Sequence, residues 1–460
     1  MVKTENSIVD GVIWKQLLLF FFPILIGTFF QQLYNTVDTV IVGQYVGKEA
    51  LAAVGTTGTV INLLVGFFVG VSSGATVIIS QFFGAEDREN VSKAVHTSIA
   101  LALAGGALIM VIGLLTARPV LELMSVPAEI IDDAVLYMNV YYAGIIACMI
   151  YNIGTGVLRA IGDSRMPLYI LIVCCLVNVV LDLLFVVVFR WAVFGVALAT
   201  VLSQVISAGL VMARLMLTHE AYRVELRKIR FDAGILRNVI RIGLPSGLQS
   251  VMYSFSNILI QTSINGFGTD AIAAWSAIGK IDGFIWMVMN AFGISVTTFV
   301  GQNFGARRYD RVKRCARVGL LMSLGSTIAL SVLLFTLREP LLHLFTGDAE
   351  VVRLGANFFI ILAPSYFTFV FIEIFSGAIR GAGESLQPML ITCFGVCGLR
   401  IVWLLFVVPI WHTMEMVAMN YPVTWVTTAI VFIIYYARGK WLDRCIRREH
   451  DPSHTTLRKA

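Results

Sequence analysis

Twelve apolar runs, each near the roughly 20 residues an α-helix needs to cross a bilayer, are spread over the 460 residues of this chain. That recurrence constrains the fold more than any other feature. In hydrocarbon every backbone N–H and C=O must find its partner within the protein, so only helices or a closed barrel can span, and runs of this length read as helices. They fall near 14–43, 50–82, 91–117, 132–158, 166–189, 192–217, 237–265, 271–303, 312–337, 352–379, 388–409 and 413–437. Charged residues make up only 13%, about half the usual share. The opening M-V-K-T-E-N-S-I-V-D-G lacks a basic segment, so the first run is expected to be retained and not removed as a signal peptide.

The net charge of +6 is unevenly placed. If both termini lie on one side, the loops there hold Arg88, Lys93, Arg159, Arg165, the cluster from Arg214 to Arg241, the cluster from Arg307 to Arg317, Arg380 and the Arg438–Lys459 tail. The opposite loops offer Lys48, Arg118, Arg190, Arg338 and Arg353. The positive-inside rule then puts both termini in the cytoplasm of a multi-pass protein of the cell (plasma) membrane. Topology accounts for these clusters, and nucleic acid is not expected as a partner. Seven cysteines lie mostly within spans and show no metal spacing, no phosphate-binding loop occurs, and His96, His343 and His412 fall on different runs. No enzyme, cofactor or structural metal is expected.

The chain is a duplication. Pro23 matches Pro245 and Asn35 matches Asn257 at an offset of 222. After a slip of one residue, Gln81–Ala85 matches Gln302–Ala306, Pro119 matches Pro340, and R-A-I-G-D-S-R-M-P (159–167) matches R-G-A-G-E-S-L-Q-P (380–388) at 221. Six spans per copy give both copies one orientation, as in secondary transporters built from parallel repeats. The expected domains are an N-terminal six-helix lobe (1–218), a cytoplasmic linker (219–236), a C-terminal six-helix lobe (237–438) and a basic tail (439–460). Gly66-x-x-x-Gly70-x-x-x-Gly74 offers a flat face for close helix contact. The Gly-Asp-Ser and Gly-Glu-Ser segments at 162–164 and 383–385 read as turns whose polar side chains cap the next helix.

Ionisable residues inside spans are costly, about 2.5–3.5 kcal/mol each on insertion scales. Asp38, Asp182 and Thr200, on three spans of the first copy, fall at one depth, roughly 12–15 Å from the outer boundary at about 1.5 Å per residue, and Asn178, four residues before Asp182, shares its face. One reading is a carboxylate neutralised for packing alone. The other is a site for a proton or a sodium ion held between two carboxylates that cannot easily both stay ionised. No cation in those spans is available to pair with them, which favours the ion site. The second copy has Ile260 and Trp403 at the positions of Asp38 and Asp182, and instead carries Lys280, Asp282, Glu373 and Arg400. These form either an internally paired neutral network or a place where Asp282 or Glu373 receives a cationic substrate or a second proton. Tyr34, Asn35, Tyr141, Trp286 and Met287 are further candidates, with Asp282 and Glu373, for lining a cleft that takes flat organic cations.

Taken together these landmarks resemble the multidrug and toxic compound extrusion (MATE) transporters of bacterial type: a proline and a late aspartate on the first span, Q-x-x-G-A closing spans two and eight, L-R-A-I-G-D-S-x-x-P after span four, and Asn178-x-x-x-Asp182 followed by Thr200. The resemblance implies an all-α membrane protein, twelve transmembrane helices in two pseudo-symmetric six-helix bundles forming a V-shaped cleft. It implies antiport, with drug-like organic cations leaving by alternating access as H+ or Na+ enters; a two-lobed chain with its own cleft needs no partner, so a monomer among membrane lipids is expected. It also implies that Asp38, Asn178, Asp182 and Thr200 are the cation-coupling residues and that Pro23 is where the first helix bends. Some members place their essential acids on span seven and spans eight or ten; span seven has none here. Among rivals, a major facilitator would carry a D-R-x-G-R-R-like loop after span two, where this chain has F-F-G-A-E-D-R-E-N. A lipid-linked precursor flippase of the same superfamily is the nearer alternative.

Overall fold

The structure, a computed structural model, describes residues 7–450; the last ten residues of the expected basic tail lie outside them. No strand occurs among the described residues. The first six long elements are α1 (Ile13–Val46), α2 (Lys48–Gly84), α3 (Arg88–Leu123), α4 (Ala128–Ala143 and Ile145–Ala160, bent by 51°), α5 (Arg165–Val188) and α6 (Ala192–Leu217). The next six are α7 (Ala233–Asn265), α8 (Thr269–Gly305), α9 (Tyr309–Thr336), α10 (Ala349–Gly381), α11 (Leu386–Trp411) and α12 (Met414–Ala437). Ten of these are long and apolar enough to cross a membrane, and the bent α4 makes an eleventh. The remaining one, α7, has 33 residues, ample length at about 1.5 Å per residue. Its Arg237, Arg241, Gln249, Asn257 and serines make it too polar to pass on composition. The protein is thus an all-α, twelve-helix membrane protein.

The duplication recurs element by element. Lys48–Gly84 and Thr269–Gly305 both have 37 residues. The glycines that open them, Gly47 (φ 121°) and Gly268 (φ 95°), sit in the left-handed region, as do Gly162 (φ 95°) and Gly383 (φ 94°) at the later turn. Side chains are disfavoured there, so glycine recurs at these turns in both copies. At the first turn Asp163 Oδ1 accepts from the N–H groups of Arg165 (3.1 Å) and Met166 (3.0 Å), capping α5. The matching Glu384 instead pairs with Arg448 of the terminal helix Lys440–His450. The one-residue slip between the copies has a physical seat. In the first copy α1 ends in a π segment, Val42–Val46, closed by Gly47 N–H to the Val42 carbonyl at 3.1 Å. A π turn holds one more residue than an α turn, which absorbs the extra residue.

The chain divides into two compact units, and the division falls inside α1 and α7. One unit is Phe22–Gly247; the described part of the other is 7–21 with 248–450. In the first unit α2, α3 and α4 pack together, α4 packs on α6, and α6 on α5. The initial part of α7 lies against α2 through glycines: a Cβ on Gly70 would stand 2.5 Å from Gly247 Cα, and one on Gly247 would stand 2.7 Å from the Phe67 carbonyl oxygen. Gly66, in the same stripe, has nothing within 4 Å. In the other unit α8 packs on α9 and α10, and α10 on α12. There the initial part of α1 is held by rings, with Phe21 stacked on Phe292 (4.1 Å) and Phe20 edge-on to Phe299 (5.7 Å). Arg308 Nη2 adds an ion pair to Asp10 at 2.8 Å.

The segment between α6 and α7 is tied down by α3. The Glu225 N–H donates to His96 Nε2 (3.0 Å) while His96 Nδ1 faces the Ser92 carbonyl (2.7 Å). Asp232 N–H donates to Thr97 Oγ1 at 3.1 Å. His96 is 3% exposed, so His96→Ala leaves a donor without its partner. We expect about 5- to 30-fold more frequent opening of this segment, read as faster tryptic cleavage at Arg223, Arg227 and Arg230.

Candidate functional site

Asp38, Asn178, Asp182 and Thr200 come together within the unit Phe22–Gly247. Asp38 is on α1, one turn before the π segment Val42–Val46. Asp182 closes the regular part of α5, and a second π segment, Leu183–Val188, follows at once. The two π segments pack against each other and against α6, so both carboxylates sit beneath widened turns of the kind often found at functional sites. Thiol contacts help hold these helices: Cys175 Sγ reaches the Phe30 carbonyl (3.7 Å) and Cys174 Sγ that of Ser203 (3.6 Å).

The Asp38 and Asp182 side chains meet within hydrogen-bonding reach. As carboxylates both only accept, so their approach is not a hydrogen bond until a proton or cation stands between them. Asp38 Oδ1, both Asp182 oxygens and both amide atoms of Asn178 are buried without a hydrogen-bond partner. Asn178 and Asp182 are 0% exposed and lie one turn apart on α5. Unpartnered buried polar groups cost about 1–3 kcal/mol each, more when charged. Such a cluster is stable only if something positive satisfies it. Thr200 donates its hydroxyl to the Val196 carbonyl (3.1 Å), which leaves the oxygen free to accept. The Tyr137 side chain reaches Thr200 and lies near both carboxylates. The donor set is therefore carboxylate, amide and hydroxyl oxygen, which suits a proton or a hard cation and not a soft metal. Among the described residues no group of three or more His, Cys, Asp or Glu could hold a metal.

Of the further candidates in this unit, Tyr34 lies near Asp38, Tyr137, Cys148 and Cys174. Asn35 is exposed, and Tyr141 is half-buried and stacks on Tyr137 at 6.4 Å. Tyr137, an aromatic of the same run as Tyr141, joins the cluster through Thr200. It lies on α4, two helices before Thr200 on α6, and the sequence carries no signal of that contact.

In the other unit the four ionisable residues do not pair with one another. Trp286 Nε1–H donates to Asp282 Oδ2 (2.6 Å), and its ring meets Phe369 (4.8 Å) and Trp425 (5.8 Å) edge-on. Asp282 Oδ1 is buried, and the Tyr366 side chain comes within reach of this carboxylate. Met287 is buried, Lys280 is exposed, and Glu373 lies against Gly293. Arg400, 3% exposed, donates from Nη1 to Ser256 Oγ (3.2 Å) and Asn257 Oδ1 (3.1 Å), with its guanidinium 4.8 Å from the centre of the Tyr421 ring. A neutral ion-pair network is thus not what this unit contains.

Comparison with known proteins agrees with this architecture. The MatE family model matches residues 23–184 and again 245–405, each match beginning at one of the two span prolines. A probable multidrug resistance protein, YoeA of Bacillus subtilis (strain 168), is 27% identical over 95% of this chain and 96% of its own length. A FAD transporter of Shewanella oneidensis is 23% identical over 85% of this chain and 87% of its own. A MATE structure in the bent conformation superposes with a TM-score of 0.88 at 21% identity, covering 98% of this chain and 100% of that one. The two repeats, the twelve helices and a family match over most of the chain make one conclusion: this protein belongs to the MatE family of membrane transporters and is not an enzyme.

Proposed function

We propose that the protein exports amphipathic organic cations across the cell membrane in exchange for H+ or Na+, by alternating access, with both termini in the cytoplasm. The observation that carries this reading is the set of partnerless buried oxygens around Asp38 and Asp182. A cation entering there removes the cost of holding two carboxylates in an apolar unit, and this energy is available to shift the helices that bear them. Asp38 is on α1 beyond Pro23, so occupancy of the site acts on the helix that contains the proline. Proline breaks one backbone hydrogen bond and lowers the cost of bending at that point. By linkage, solute binding must weaken cation binding by the factor with which the cation weakens solute binding. The names of the multidrug resistance relatives support a drug-like solute. The reading is of a protein that acts as a monomer.

The test is efflux of a cationic dye from vesicles holding the purified protein, with sodium and proton gradients imposed separately. One of the two gradients is expected to drive efflux and thereby name the coupling ion. Dye movement that ignores both gradients would sink the antiport reading.

A further inference from the structure

The internal repeat brings a second site into view. At the offsets established above, Ser256 and Asn257 are the counterparts of Tyr34 and Asn35, Leu399 of Asn178, and Tyr421 of Thr200. Arg400 itself matches Val179, the neighbour of Asn178, so with its three partners it lies, in its own unit, beside the place that the acidic cluster occupies in the other. The sign of the charge is reversed.

The guanidinium there is half used. Of its five N–H donors, the two on Nη1 serve Ser256 and Asn257. Nε is buried and has no hydrogen-bond partner. Among the described residues no carboxylate lies within ion-pair distance; the guanidinium lies over the face of Tyr421, with Tyr253 and Cys397 also near. The Nε–Nη2 edge, which is the edge that takes a carboxylate side-on through two parallel bonds, makes no hydrogen bond among the described residues. A buried arginine held purely for packing would be expected to spend its donors on carbonyls or on an acid, because an uncompensated charge in this setting is expensive. Asn257, which braces Nη1, is itself exposed, so the guanidinium lies one side chain beneath the surface of the unit.

We propose that Arg400, braced by Ser256, Asn257 and Tyr421, is a subsite for an anionic group, specifically the carboxylate of a transported solute. A solute that bears both a positive and a negative group would place the negative one at Arg400. This rests on the reading of the protein as an organic-solute transporter but not on ion coupling.

The experiment measures equilibrium binding to the full-length protein in nanodiscs, without any gradient, of two dyes that differ in one group. These are a cationic rhodamine methyl ester and its free acid, followed by fluorescence anisotropy. Arg400→Gln is expected to lower the ratio of free-acid to ester affinity about 10- to 100-fold, the worth of a charge-assisted hydrogen-bonded pair. Arg400→Lys is expected to keep part of that ratio. An unchanged ratio in Arg400→Gln, whether both dyes bind as before or both lose binding equally, makes Arg400 a structural group and overturns the proposal. A chloride requirement for ester binding, seen on exchanging chloride for gluconate and absent from Arg400→Gln, would assign the site to free chloride and also overturn it. Because no gradient is used, a failed antiport test leaves this result standing, and the reverse holds too.

Discussion

Asp38→Asn is expected to yield a folded protein that no longer responds to an imposed ion gradient. The amide brings an N–H donor to face Asp182, where two carboxylate acceptors otherwise meet. The cluster would then be satisfied from within and would have no further need of a cation. Gradient stimulation of dye efflux should fall by the whole coupling factor, about 5- to 150-fold for couplings of this kind. Thermal stability in detergent should stay level or rise, since a buried donor has gained its acceptor. Asp182→Asn is expected to act alike. Full gradient-driven export by either variant would remove the acidic cluster from the mechanism. A large loss of stability with the loss of transport would make the cluster a packing device.

Gly70→Val should be the most damaging change outside the site. The new Cβ would stand 2.5 Å from Gly247 Cα and 2.6 Å from Gly247 N. Both are backbone atoms, so no side chain can swing away and a helix must shift instead. Overpacking of this kind costs about 1–3 kcal/mol and at times more, and here the rigid partner places it at the upper end. Gly66→Val, four residues earlier in the same stripe, meets nothing within 4 Å and should fall within about 0.5 kcal/mol of wild type. Folded yield and melting temperature of the two variants, measured side by side, check this. Equal behaviour would mean that α2 and α7 do not pack through their glycines.

Much of the fold is legible in the sequence because the physics is repeated. Apolar length and the prohibition on unpaired backbone in lipid give the helices. Glycines in the left-handed region at Gly47 and Gly268, and at Gly162 and Gly383, give matching turns. The slip of one residue between copies is visible in the alignment of the halves, but that it is stored as a π segment at Val42–Val46 is not. Depth counting from the span ends brings Asp38, Asp182 and Thr200 to one level, with Asn178 on the face of Asp182. It cannot bring Tyr137 to Thr200, since an aromatic on a helix has many possible neighbours. The second copy is less legible for a related reason. Two cations and two acids suggest mutual pairing, whereas Arg400 takes hydroxyl, amide and ring partners, and Asp282 takes an indole. Charge arithmetic does not foresee that a buried cation can be held by neutral groups.

The division of α1 and α7 between the two units bears on how the protein could be assembled or taken apart. A cut in the segment between α6 and α7 yields two fragments that match the genetic repeat but not the compact units. The first fragment would lack the strip of α7 that fills the glycine groove on α2, and would carry an end of α1 whose phenylalanines have lost Phe292 and Phe299. The second fragment would be short of that end and burdened with the α7 strip. Each piece is thus the missing part of the other. A gene split at this point encodes two obligate complements, and an ancestral single copy would have needed a twin to complete its own packing.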